Sequence, residues 1–230
     1  MCGRFTLTLD ADKLQQEFPW VVVPPQVQPR YNIAPSQPVA LIANDNPNQF
    51  TFNRWGLIPS WAKDLSIGER LINARAETLA EKPSFRAAYL RRRCLILADG
   101  FYEWAVLPNR KTKQPYYIRL QSGKPFTFAG LWDVWQDTQG NELRSCTIIT
   151  TQPNALIAPL HNRMPVILPS EAYALWLERS EKLPVQLDHL LVPYPADEMI
   201  AYPVSIAVNA PNHDAPDCIL LESKSVGPVL

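Results

Sequence analysis

Along most of this chain, apolar and polar positions alternate in short runs, the signature of half-buried strands. Thr6–Leu9, Val39–Ile42, Gln49–Trp55, Cys94–Ala98, Phe101–Trp104, Tyr116–Leu120, Phe126–Trp132, Ser145–Thr151 and Tyr202–Val208 read as strands. Asn44–Asn48 makes a hairpin of the second and third, and Asp99-Gly100 reads as a turn. Helical spacing is confined to a few places. Asp10 is a plausible N-cap for a short helix whose Leu14 and Phe18 share a face. Ser84–Leu90 is a second helix, with Arg91, Arg92 and Arg93 in its last turn, where cations suit the dipole. Ser170–Arg179, capped by Ser170, is the clearest helix, and Val185–Leu191 is a weaker one. Strand, turn, strand without intervening helices predicts an antiparallel sheet curled towards a barrel. The expected fold is α+β: a single domain over residues 1–230 with a barrel-like antiparallel core and flanking helices.

Composition sharpens this picture. Twenty-three prolines against eight glycines predict stiff connections, with Pro19–Pro29 an extended loop and Leu183–Pro195 the softest point. The 22 basic residues balance the 22 acidic ones, so no whole-molecule field points to a polyanion; nucleic-acid binding would need a local cluster. No apolar run reaches the length of a membrane span, and no signal-peptide pattern opens the chain, so a cytoplasmic protein without membrane contact is expected. Cys2, Cys94, Cys146 and Cys218 form no C-x-x-C pair, and with three histidines no metal or other cofactor is expected.

Four groups can carry chemistry. Cys2 follows the initiator, and a chain that starts at Cys2 presents an α-amine of pKa about 7.7–8.0 beside a thiol of pKa about 8.5. Such a 1,2-aminothiol closes on an aldehyde to a thiazolidine; the plain alternative is a small apolar residue at a frayed end. Asn73 and Arg75, two apart, share one side of a strand, and Arg75 could hold a phosphate or simply pair with Glu77. Glu103 lies among aromatics in Gly100-Phe101-Tyr102-Glu103-Trp104; burial would raise its pKa towards the range of general acid–base work, and solvent exposure is the alternative. His161, beside Arg163 and a strand end, suits proton transfer, although a lone histidine is more often structural. Trp55, Trp61 and Trp104 offer faces on which bases could stack, while Trp132, Trp135 and Trp176 read as core.

These groups, with Tyr31-Asn32-Ile33-Ala34-Pro35, Arg54 through Trp61, Ile72 through Thr78, His161 through Pro165 and Val204 through Asn209, together resemble the SOS-response-associated peptidase family. Members of that family crosslink to abasic sites in single-stranded DNA. The resemblance implies that Cys2 forms a thiazolidine with the ring-opened sugar, Asn73 positions that sugar, Glu103 is the general acid–base and His161 assists ring opening. It further implies that Arg4, Arg75 and Arg163 hold flanking phosphates and that Trp55, Trp61 and Trp104 line the DNA channel. Removal of Met1, by the protein itself or by an aminopeptidase, and a lyase-type reversal go with it. So do single-stranded abasic DNA as partner, nucleoid association when bound, replication-fork proteins as candidate contacts and a monomer. The competing readings are a cysteine peptidase of Cys2, His161 and Glu103 acting in trans, and a non-catalytic single-strand-binding module. One departure from the family is Ala210-Pro211 ahead of Asn212, where a second asparagine often follows the Val-Asn pair directly.

Overall fold

A computed structural model describes residues 2–107, 112–179 and 186–222. The alternating segments become β1 (Phe5–Leu7), β2 (Arg30–Ile33), the hairpin β3 (Pro38–Ala43) and β4 (Phe50–Trp55), β5 (Asn73–Arg75), β6 (Arg93–Ala98), β7 (Gly100–Ala105) and β8 (Gln114–Leu120). After them come β9 (Phe126–Gln136), β10 (Glu142–Thr151), the short pieces β11 (Met164–Pro165) and β12 (Ile167–Leu168), and β13 (Met199–Pro203). The helices are α1 (Ala11–Glu17), α2 (Arg86–Arg91) and α3 (Tyr173–Leu177).

Five strands close into a barrel. β3 pairs with β4 and β6, β6 with β9, and β9 with β10. The ring shuts where β10 meets β4, with Ser145 opposite Arg54 and Cys146 opposite Trp55. That last pairing is parallel, as is the pairing of β5 with β10, so the sheet is mixed where the strand order had predicted antiparallel. Strands with more than 60 residues between them are freed from the hairpin geometry that forces neighbours to run oppositely. Phe5 enters the core edge-on to Trp55 (5.1 Å between centroids) and to Phe128 (5.6 Å), contacts worth roughly 0.5–1.5 kcal/mol each beyond their buried area.

The second sheet runs in the order β13, β8, β7, β1, β2. The chain reaches it at Asp99, which therefore does not reverse direction as a turn would: β6 ends in the barrel at Ala98 and β7 starts in the other sheet at Gly100. The buried Asp99 carboxylate accepts from Thr6 Oγ1 (2.5 Å), Thr8 N (2.5 Å) and Thr8 Oγ1 (2.6 Å), which ties β1 to this crossover. Gly100 is required there, since a Cβ would stand 2.1 Å from Tyr117 Oη.

Other elements depart in detail. Asp10 caps α1 as expected, its carboxylate accepting from Lys13 N at 2.9 Å. Arg93, instead of ending a helix, opens β6 and is fully buried. It donates to Tyr89 O and Leu90 O at the end of α2 and to Trp176 O and Glu178 O at the end of α3, satisfying carbonyls that helix ends leave open. α3 is shorter than expected and starts through a 3-10 turn over Ser170–Ala172. Ser170 caps nothing, its hydroxyl bonding Glu171 Oε2 at 3.1 Å. Of Val185–Leu191, Asp188–Leu190 winds as a 3-10 turn, and residues 180–185 lie outside the described residues. The expected strand over Tyr202–Val208 stops at Pro203, and Ile206–Asn209 winds into a 3-10 turn capped by Ser205. Among the described residues no helix is long and apolar enough to cross a membrane.

Candidate active site at the seam of the two sheets

The second sheet brings two of the four predicted groups. Cys2 directly precedes β1 and is completely buried, and Glu103 sits in the middle of β7, also buried. β1 and β7 are neighbours, with Phe5 opposite Phe101. The barrel brings the other two: Asn73 heads β5 on the flank of β10, and His161 lies three residues ahead of β11, which also pairs with β10.

Contacts and fields join them. Asn73 Nδ2 donates to Cys2 O at 2.9 Å. Its Oδ1 is buried and has no hydrogen-bond partner among the described residues. Burial, then the neighbouring Glu103 charge, pushes the Cys2 thiol well up, so it rests protonated. Burial also pushes Glu103 up to about 7, the amino-terminal charge and Lys113 opposing it. His161 moves the other way: burial lowers it, with the amino-terminal and Lys113 charges acting in the same direction. His161 Nδ1 lies 3.0 Å from Arg163 N and 3.2 Å from Arg163 O, which holds the ring in place on the loop. The site thus holds a protonated thiol, a carboxyl poised near neutrality and a neutral imidazole.

The predicted arginines divide. Arg75 is exposed on β5 and makes no hydrogen bond or ion pair with a described residue. Glu77, its alternative partner, is taken instead by Arg163: Nη1 to Oε1 at 2.6 Å and Nη2 to Oε2 at 2.9 Å, with Nη2 also reaching Thr150 O. That pairing holds the Glu77 carboxyl below the usual carboxylate range. The buried Arg163 spends both Nη nitrogens on the protein, and the expectation that it grips a phosphate is corrected: it braces the loop that carries His161. Arg4 is half-buried, Nη1 donating to Asn32 Oδ1 (2.6 Å) and Val208 O (2.8 Å).

The tryptophans divide too. Trp55 has no exposed surface and donates from Nε1 to Ile72 O at 2.9 Å, so it is core and cannot stack on a base. Trp61 is 59% exposed on the loop between β4 and β5. That loop is closed at its base by the Gly56–Gly68 approach, where a Cβ on Gly56 would lie 2.6 Å from Gly68 O. Trp104 is partly exposed beside Glu103, its Nε1 donating to Asn209 Oδ1 at 2.7 Å. Asn209, itself exposed, has its Oδ1 engaged by that bond, and Asn212 lies exposed three residues on. Trp132 and Trp176 are core as expected, and Trp135, half-buried, donates to Ala62 O.

Sequence reasoning missed two participants. Lys113 ends the β7–β8 connection, an insertion without diagnostic features, and its charge reaches both Glu103 and His161. Asn32 sits in a segment whose pattern was informative but whose side chain had no assigned task. A polar residue set between Tyr31 and Ile33 in a short strand was the available signal.

A thiol at the second residue thus lies with an amide, a poised carboxyl and an imidazole at a seam between two sheets. The chain belongs to the SOS response associated peptidase (SRAP) family, whose model matches residues 1–211. It is 50% identical over 222 residues to the abasic site processing protein YoqW of Bacillus subtilis, covering 95% of this chain and 99% of that one. It is 31% identical over 268 residues to the abasic site processing protein HMCES of Rattus norvegicus, covering 95% of this chain and 75% of the relative. A crystal structure of a Bacteroides thetaiotaomicron protein superposes with a TM-score of 0.87 at 27% identity, covering 96% of this chain and all of that one.

Proposed function

We propose that this chain, freed of Met1, captures abasic sites in single-stranded DNA as a covalent thiazolidine. The carrying observation is that Asn73 is bonded to Cys2 while the Glu103 charge acts on the Cys2 thiol. Because the thiol is held protonated, the α-amine attacks first. It adds to the C1 aldehyde of the ring-opened sugar to give a carbinolamine. Glu103, with a pKa of about 7, donates the proton with which the hydroxyl leaves as water. The resulting Glu103 carboxylate takes the thiol proton as sulfur adds to the iminium carbon, which restores the Glu103 acid and closes the ring, whose N–H is the one the iminium carried. Asn73, whose Oδ1 bonds no described residue, orients the sugar hydroxyls, and His161 assists at the sugar ring oxygen as the ring opens. Arg75 and Arg4 hold the flanking phosphates, and Trp61 and Trp104 supply stacking faces. Self-removal of Met1 and reversal of the link by lyase-type chemistry use the same groups.

The raised thiol pKa also weighs between readings. A peptidase acting in trans needs a thiolate stabilised near neutrality, and burial works against one here. The test is intact mass before and after mixing with an abasic single-stranded oligonucleotide. We expect loss of Met1 and a denaturation-resistant adduct 18 Da (one water) lighter than the two components. Cys2→Ala abolishes it, and Cys2→Ser retains only an imine that borohydride can trap. An adduct indifferent to both changes, or equal affinity for intact and abasic strands with no adduct, would sink the proposal.

A further inference from the structure

Residues 204–221 run back across the second sheet as a strap, with Val208 and Cys218 packed on Tyr102 and Tyr117. One side chain clasps it. Asn32, fully buried on β2, shares its Nδ2 hydrogens among Val208 O (3.1 Å), Ala210 O (3.1 Å) and His213 O (2.7 Å). Its backbone N donates to Asp214 Oδ1 at 2.9 Å, and the same carboxylate takes Tyr31 N and Arg30 Nε. The remaining acceptor, Asn32 Oδ1, holds Arg4 Nη1, which also reaches the strap at Val208 O. This fixes one side of the guanidinium, its carbon 6.0 Å from the centre of the Trp104 ring, while Asn209 of the strap fixes Trp104. Arg4 Nε is buried without a partner, and Nη2 bonds no described residue. Every donor of Arg4 with freedom to act therefore lies on one edge.

We infer that Asn32 is a positioning residue for the capture reaction: by clasping the strap to β2 it sets Arg4 so that its unused Nη2 donors meet the phosphate beside the captured sugar. A guanidinium held by a neutral amide keeps its full charge for the phosphate, which a carboxylate clasp would have neutralised. Arginines that must move into place bind phosphate less well than ones already aimed.

This inference rests on the crosslinking reading, and the experiment separates the two. Crosslinking rate is measured against concentration of an abasic single-stranded oligonucleotide at two salt concentrations. The proteins are wild type, Asn32→Ala, Arg4→Ala and the double variant, with melting temperatures alongside. Asn32→Ala should raise the half-saturating concentration about tenfold and flatten the log–log salt slope by about one, with the saturating rate within about twofold. In the double variant it should add nothing to Arg4→Ala, because it acts through Arg4. Additive effects, a fall in saturating rate at unchanged half-saturation, or no effect of Asn32→Ala would overturn the inference. If wild type gives no adduct, the crosslinking reading fails; the same four-way comparison by fluorescence anisotropy in a Cys2→Ala background still decides Asn32. Should Asn32→Ala not fold, Asp214→Asn loosens the strap from a point that does not touch Arg4. It should raise half-saturation about threefold, and no change there counts against the inference.

Discussion

Trp55 in the barrel and Glu103 on the second sheet are buried almost equally, yet the barrel gains from its burial and the second sheet is strained by its own. Trp55 has its indole N–H on Ile72 O and an aromatic edge from Phe5. Glu103 holds a carboxyl displaced from 4.5 to about 7. A large, closely packed apolar barrel can offset the cost of a carboxyl kept ready on the neighbouring sheet. The reactive groups then collect where the two meet, each sheet supplying half.

The largest expected effect lies in the barrel. Trp55→Ala should cost about 4 kcal/mol in urea unfolding, since it empties a filled core site and removes the bond to Ile72 O. A cost under about 1 kcal/mol would mean that the barrel does not supply the stability claimed for it. Glu103→Gln should do the opposite, and only at high pH. An acid whose folded pKa is raised is destabilising once ionised, so the penalty is absent below pH about 4.5, grows with pH and is complete above about 7. The substitution should therefore add about 3 kcal/mol at pH 8 and almost nothing at pH 4, while removing the loss of crosslinking rate as pH rises through 7. Equal stability of the two proteins at pH 8 would erase the contrast.

Gly100→Ala tests the join. The new Cβ has no room beside Tyr117 Oη, so about 2 kcal/mol of stability should go, and crosslinking should fall more than melting alone accounts for because β1 and Cys2 shift with it. The smallest effect belongs to Trp61→Ala. Melting should stay within about 0.5 kcal/mol, whereas single-strand affinity drops by about 1 kcal/mol, read by anisotropy.

Local pattern made the hairpin β3–β4, strand β6, the Asp10 cap and the shared side of Asn73 and Arg75 readable, because each depends on neighbours within a few residues. The parallel closure of β4 on β10 and the passage between sheets at Asp99 were not, since both depend on partners many tens of residues away. The same limit divided the candidate site. Cys2, Asn73, Glu103 and His161 stood out by residue type and setting, but whether an arginine or tryptophan faces DNA or its own protein is a matter of distant partners. Arg163 and Trp55 looked the same in the sequence as Arg75 and Trp61, and Glu77 and Ile72 O decided otherwise. Asn32 went unassigned because three of its bonds reach across some 180 residues.

Cys2 has no solvent-exposed surface. An aminothiol is an indiscriminate reagent, open to oxidants, electrophiles and the small carbonyl compounds of metabolism. Under the proposed chemistry, such a group kept out of reach with its sulfur uncharged is stored and not spent until the lesion arrives.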